Sequence, residues 1–434
     1  MSGEILEADL TYVGRAFEPG IQVEVEGDRI SRVGRGLAAE PRRLHGRALL
    51  PGFVNGHSHA FQRFLRGRGE TFPQGAGSFW TWREAMYQLV ESLDADRLFD
   101  ISKHAFGEML KAGMTTVGEF HYVHHLSPGA EERDFAADGV VVAAAREAGI
   151  RLVLLQTFYK TGAIGQPLQG GQKRFATPDV EAYWRQLDHL AERLQLPTES
   201  LGVVGHSVRA VPLEDLEALA KGAGERGMLF HIHVEEQRQE IASSLNAYGK
   251  RPMEIVFERI FPHLPARNVT SIHCTHSLPE DLAQYLEAGA NVCLCPLTEA
   301  NLGDGFSHLP SITTAAAKGQ VAIGTDSNVR FSMLEEMRLL EFAQRLRREE
   351  RGAVRDEEGH IGRLLLNIAT AGGARALGLE AGAIAEDHLA DFVTIDLNHP
   401  SLTYAPQETL EDALIFGGAD GTIAETCVGG RWLD

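Results

Sequence analysis

Apolar and polar positions alternate in two different textures along this chain. At both ends the period is two over short stretches, the mark of half-buried strands. Ile21–Val25 and Ile30–Val33 flank Glu26-Gly27-Asp28, which predicts a hairpin. Thr426–Val428 and Arg431–Leu433 flank Gly429-Gly430 in the same way, and Asp391–Ile395 reads as a further strand. Between the ends, short continuous apolar runs alternate with amphipathic stretches such as Glu214–Lys221 and Glu335–Arg348. The runs are Ala48–Val54, Met114–Phe120, Arg151–Phe158, Leu201–Ser207, Met228–Val234, Val269–Thr275, Asn291–Cys295 and Gln320–Thr325. Strands buried on both faces read this way, and the helices that connect them keep one polar face. Eight such units predict an α/β fold, a (β/α)8 TIM-like barrel over residues 51–374, with residues 1–50 and 375–434 joining in a small β domain. The largest insertion, from about Ala60 to Leu93, is rich in Phe, Trp, Arg and Gly.

Composition narrows the class. The chain has 434 residues, 44% hydrophobic and 23% charged, which excludes wholesale disorder, a collagen-like repeat and a disulfide scaffold. A core of this size needs no metal as a staple, so a metal site here would serve chemistry. The formal charge of -19 argues against nucleic acid and anionic membranes as partners. Cys274, Cys293, Cys295 and Cys427 form no CxxC pair and are expected as reduced, buried thiols. The start, MSGEILEADL, lacks the pattern of a signal peptide, and no apolar run reaches the ~18 residues of a membrane span, so a cytoplasmic enzyme is expected.

The 18 histidines are the unusual feature. In a (β/α)8 barrel the chemistry gathers at the C-terminal ends of the strands. The first run ends in Gly56-His57-Ser58-His59, whose imidazoles at i and i+2 share a face. The fifth ends in His231-Ile232-His233-Val234-Glu235-Glu236, the sixth in His273-Cys274-Thr275-His276, and the eighth in Gly324-Thr325-Asp326-Ser327. No one of these is specific. Together they place an imidazole and carboxylate set at strand ends, with no thiolate, which suits Zn²⁺, Fe²⁺ or Mn²⁺. Glu236, three residues past His233, is the candidate proton carrier, ahead of its neighbour Glu235.

These motifs resemble the amidohydrolase superfamily. The opening Pro51-Gly52-Phe53-Val54-Asn55-Gly56-His57-Ser58-His59 and the closing segment from Gly382 to Phe392 look like that family's entry to and exit from the barrel. The resemblance implies that the terminal β domain is a β-sandwich. Five loop blocks resemble more narrowly the formimidoylglutamate deiminases, also called N-formimino-L-glutamate iminohydrolases. They are His59–Arg63, Ser78–Glu84, Glu119–His125, His206–Ala210 and Glu299–Gly305. The resemblance implies one zinc per subunit on His57, His59, His233 and Asp326, with Glu236, His273 and Asp326 as the catalytic groups. Motif matching alone separates His273 from His276. The fourth run lacks the lysine or glutamate that bridges two metals in binuclear relatives, which supports a single ion. No organic cofactor is implied.

The implied substrate is a small dicarboxylate, N-formimino-L-glutamate, with an amidine-like cation at one end. Its carboxylates need arginines, and Arg83 and Arg209 are the candidates. Gln62, Tyr122 and His206 follow strands one, two and four and would position the substrate, with Trp80 and Trp82 as candidate walls. The expected reaction is hydrolytic deimination to N-formyl-L-glutamate and ammonia, in histidine degradation, by a homodimer. The alternative is another amidohydrolase deaminase acting on a nucleobase or triazine ring. A non-catalytic scaffold on the same barrel is disfavoured because every expected ligand is present.

Overall fold

The computed structural model describes residues 3–433 apart from 69, 73, 74, 76, 128–134, 309–312, 314–317 and 319. The first strands are β1 (Glu4–Val13), β2 (Ala16–Glu18), β3 (Gln22–Glu26), β4 (Arg29–Gly34) and β5 (Arg42–Pro51). The barrel strands follow: β6 (Phe53–Ser58), β7 (Met114–His121), β8 (Arg151–Phe158), β9 (Glu199–Gly205), β10 (Phe230–Val234), β11 (Val269–His273), β12 (Asn291–Leu294) and β13 (Val321–Ile323). The chain ends in β14 (Phe392–Asp396), β15 (Ile423–Val428) and β16 (Arg431–Leu433).

Strands β6 to β13 pair in sequence order, all parallel, with helices between them. The ring is closed by a parallel bridge from Ser58 to Asp326. Strands β7 and β8 are buried at every position, as the unbroken apolar runs require. The two amphipathic stretches lie in the helices Leu213–Glu225 and Met333–Arg348, the latter capped by the Ser332 hydroxyl, which accepts from Glu335 N–H. The terminal strands form one continuously bonded eight-stranded sheet around a separate small core that includes Leu6, Val23, Ile30 and Phe392. Both expected hairpins, β3–β4 and β15–β16, are antiparallel pairs in this sheet.

The first apolar run differs from its expectation as a single strand. Ala48–Leu50 belongs to β5 and pairs with β14, whereas the barrel begins at Phe53. The chain changes sheets at Gly52, whose N–H donates to Asp391 O at 2.9 Å. A β-carbon at Gly52 would fall 2.2 Å from the Thr115 side chain, so only glycine passes there. Apolarity is the same in both sheets, which is why the run gave no sign of the break.

All four cysteines are free and buried. Among the described residues no helix is long and apolar enough to cross a membrane.

Candidate active site

The seam that closes the barrel also builds the site. Thr325 N–H and Asp326 N–H donate to His57 O at 3.0 Å, and His59 N–H donates to Asp326 O at 2.9 Å. Gly324 permits this approach, since a β-carbon there would lie 2.7 Å from His57 O. Asp326 Oδ1 thereby reaches 3.2 Å from His59 Nε2 and 3.5 Å from His57 Nε2. From β10, His233 Nε2 comes within 3.3 Å of His57 Nε2. From the end of β11, His273 Nε2 lies 3.8 Å from Asp326 Oδ2.

The other ring nitrogens explain the orientation. His59 Nδ1–H donates to Phe120 O at 2.7 Å, and His233 Nδ1–H donates to His206 O at 3.1 Å. With those protons on Nδ1, neutral rings aim Nε2 lone pairs at one another across the seam. Such backbone partners orient imidazoles that ligate a metal. Burial lowers His57 to about 3 and takes His233 well below its ordinary value, so both are neutral, as ligands must be. Burial alone would raise Asp326, but the imidazoles of His57, His59 and His273 around it outweigh that and hold the carboxyl well below its usual range. His57 meets His59 and Asp326 in one cluster of potential ligands and His233 and His273 in another, and three imidazoles and one carboxylate drawn from these would suit a single divalent ion.

His273 behaves differently. Burial would lower it, but Glu236, Glu299 and Asp326 together raise it to about 10. Its Nδ1 faces Glu299 Oε1 at 3.3 Å, which leaves Nε2–H directed at Asp326 and the cavity. His276 does not face the cavity: its backbone N–H donates to Glu235 O and its carbonyl accepts from Arg251. The left-handed backbone of Glu235 (φ 54), His273 (φ 72) and Asp326 (φ 45) marks all three strand ends as strained. Each such residue costs on the order of 1–3 kcal/mol and is typical of functional sites.

One cavity opens onto this cluster. Gln62, Arg83, Tyr122, His206, Arg209, Glu236, His273 and Asp326, all expected from sequence, line it together with His59 and His233. His57 lies behind them, fully buried. Glu236 faces the cavity, whereas Glu235 is held by Arg251 at 3.1 Å and turned away. Gln62 Nε2–H donates to the Tyr122 hydroxyl at 2.7 Å, leaving its carbonyl oxygen buried without a partner. Arg83 comes from the helix Phe79–Glu91 in the insertion and stacks 4.4 Å above Trp80, while Trp82 reaches the wall. Arg209 Nη2 lies 3.2 Å from Glu236 Oε2.

Sequence reasoning missed several neighbours. Tyr87, Tyr159, Phe175 and Leu302 line the cavity, and Glu240 lies behind Arg209. Tyr159 follows the last residue of β8, so the strand-end rule applied to the third run would have found it. His231, grouped by position with the strand-end histidines, points into the lower barrel, where its Nε2–H donates to Ala376 O at 2.9 Å. His121 and His124 face away from the cavity onto Asp138, in the helix Ala136–Ala148.

Comparison with known proteins agrees with this fold. Residues 48–433 match the amidohydrolase family. The chain is 40% identical to the formimidoylglutamate deiminase of Pseudomonas aeruginosa, over 98% of this chain and 93% of that one. An amidohydrolase from Brucella melitensis superposes with a TM-score of 0.89 at 31% identity, covering 99% of this chain and 94% of that chain. An adenosine deaminase from Xanthomonas campestris with bound zinc shares the fold, with a TM-score of 0.81 at 23% identity over 99% and 92% of the two chains.

Proposed function

As this chain belongs to the amidohydrolase family, we propose that it hydrolyses N-formimino-L-glutamate to N-formyl-L-glutamate and ammonia. The observation that carries this reading is the presence of two arginines, Arg83 and Arg209, in the same cavity as the His and Asp cluster. A dicarboxylate needs two cationic receptors at fixed reach from the reacting carbon, and a guanidinium binds a carboxylate in bidentate fashion. A nucleobase site needs stacking walls and has no use for the second cation.

His57, His59, His233 and Asp326 would hold one zinc ion, which supplies a Lewis acid and a water acidic enough to react near neutral pH. The protein's own groups do the rest. Arg83 and Arg209 take the carboxylates, and Gln62, bonded to Tyr122, presents its free carbonyl to the formimino nitrogens. His206 bounds the pocket beside them, kept neutral by burial well below its ordinary value. Glu236 accepts a proton from the attacking water. His273 and Asp326 orient the attack, in which the C=N electron pair moves onto the formimino nitrogen. Glu236 then returns the proton to the terminal nitrogen, the C–N bond breaks as the formyl C=O forms, and the hydroxyl's remaining proton leaves with ammonia as ammonium.

The same reading takes the enzyme to be a cytoplasmic homodimer with one zinc per subunit. Ammonia release should be measured on metal-loaded protein with N-formimino-L-glutamate, cytosine, guanine and adenosine. Turnover confined to the first is expected. Preference for a ring substrate would replace this reading with that of a nucleobase deaminase.

A further inference from the structure

We propose that Arg209 is a latch on Glu236: its guanidinium engages the proton-carrying carboxylate until a substrate carboxylate draws it away, and Glu240 anchors the arginine from behind. The inference rests on the proposed function and concerns how recognition at one end of the substrate is coupled to chemistry at the other.

Three contacts carry it. Arg209 Nη2 lies 3.2 Å from Glu236 Oε2, inside the cavity. On its inner edge, Arg209 Nε lies 3.8 Å from Glu240 Oε1. Both of these atoms are buried and have no hydrogen-bond partner, so a small rotation of the guanidinium toward Glu240 would satisfy both at once. The third contact is from Glu236 N–H to Glu240 Oε2, at 3.1 Å. Glu240 is fully buried near the start of the helix Arg238–Tyr248. A single carboxylate therefore touches both the backbone of the proton carrier and the inner edge of the carboxylate receptor.

The chemistry follows from competition. While Arg209 holds Oε2, the Glu236 carboxylate is tethered to the arginine and cannot turn that oxygen toward the attacking water. A substrate carboxylate offers the same guanidinium a better bidentate partner. Once it binds, Arg209 is shared between the substrate and Glu240, and Glu236 is released toward the reacting carbon. Binding energy at the remote carboxylate is then expressed in the rate of the chemical step as well as in affinity. An amidine without that carboxylate would enter the pocket and leave the latch closed. Glu240 acts here as a positioning residue, since it does not reach the reacting atoms.

The test uses metal-loaded full-length enzyme and three substrates. They are N-formimino-L-glutamate, N-formimino-4-aminobutyrate, which lacks the α-carboxylate, and N-formimino-2-aminobutyrate, which lacks the distal one. For wild type, kcat should fall at least about tenfold for whichever analogue lacks the carboxylate Arg209 takes. Arg209→Ala opens the latch permanently. It should raise kcat for that analogue about fivefold above wild type while lowering kcat/KM for the full substrate. Glu240→Gln keeps an acceptor for Glu236 N–H but leaves the guanidinium to Glu236, and should widen the kcat ratio between full and truncated substrates. A purely structural role for Glu240 would lower both rates in proportion. If truncation moves only KM in wild type, or if Arg209→Ala accelerates neither analogue, the latch is overturned. If wild type fails on N-formimino-L-glutamate itself, it is the proposed function that falls.

Discussion

Among the described residues, ligand-type side chains gather at two buried places in the barrel, and they differ in what surrounds them. His57, His59, His233 and Asp326 meet at the barrel seam, and His121, His124 and Asp138 meet between β7 and the helix Ala136–Ala148. By ligand type, spacing and burial the two are alike. They differ in what the remaining atoms touch. At the seam, backbone carbonyls take the Nδ1 protons of His59 and His233 and leave their Nε2 lone pairs directed inward beside a cavity. In the second group, His124 Nδ1 faces Asp138 at 2.8 Å and its Nε2 faces Thr157 O at 2.6 Å, so both nitrogens carry protons. His121 Nε2 lies 3.2 Å from the same carboxylate, and Gln156 donates to its other oxygen at 3.0 Å. Burial would raise Asp138, but the charges and hydrogen bonds of His124 and His121 outweigh it and hold it well below its ordinary value. In the second group the carboxylate is already engaged by its histidines and Gln156, and His124 keeps no lone pair to offer. Clustering of ligand-type residues is thus insufficient, and the partners of the far nitrogens decide.

The sharpest way to break this contrast is to remove ligands from each group in turn. His59→Ala should abolish bound metal and lower turnover by at least about a thousandfold, read by metal analysis and ammonia release. Glu236→Gln should keep its metal and lose on the order of 10²–10⁴ in kcat, and a fully active variant would remove Glu236 from the mechanism. Arg209→Ala should raise KM for N-formimino-L-glutamate by about a hundredfold, the value of a lost charge-assisted pair. An unchanged KM would end its role as a receptor. In the second group, His124→Ala should leave metal content and kcat near wild type while costing about 3 kcal/mol of stability, because it strands a buried carboxylate. Loss of a second metal equivalent in that variant would erase the distinction between the two groups.

The smallest expected effect is on pH dependence. Asp138 has a folded pKa below its unfolded value of 3.8, so its stabilisation is complete above that value and is lost as pH falls below it. Denaturation midpoints between about pH 5 and pH 2 should therefore show a steeper decline in wild type than in Asp138→Asn. Parallel curves would mean that Asp138 is not the buried ion described here.

Much of the site was legible because a (β/α)8 barrel converts a position along the chain into a position in space. Any residue just past a parallel strand arrives at the same rim, so His57, His233, His273 and Asp326 could be grouped before their distances were known. The reading was weaker wherever the chain offers two candidates a few residues apart. Glu235 and Glu236 are adjacent, and it is Arg251 that draws the first away from the cavity. His273 ends β11 and His276 follows three residues later, and of the two only His273 lines the cavity. Arg209 reads from sequence as a candidate carboxylate receptor, but its ion pair with Glu236 and its contact with Glu240 join residues on different elements. No local pattern encodes such a pairing.

The sequence by itself determined the period of its apolar positions, and with it the eight parallel strands, the hairpins of the terminal sheet and the rim on which the chemistry-bearing residues fall. These follow from local rules of two- and 3.6-residue repeats and from strand-end placement. Only the tertiary structure decided where the first run breaks between two sheets, which imidazoles keep a free lone pair, and which carboxylate faces the cavity. Those outcomes depend on proton acceptors and counter-charges supplied from distant parts of the chain, at distances of about 3 Å that only the closed barrel sets.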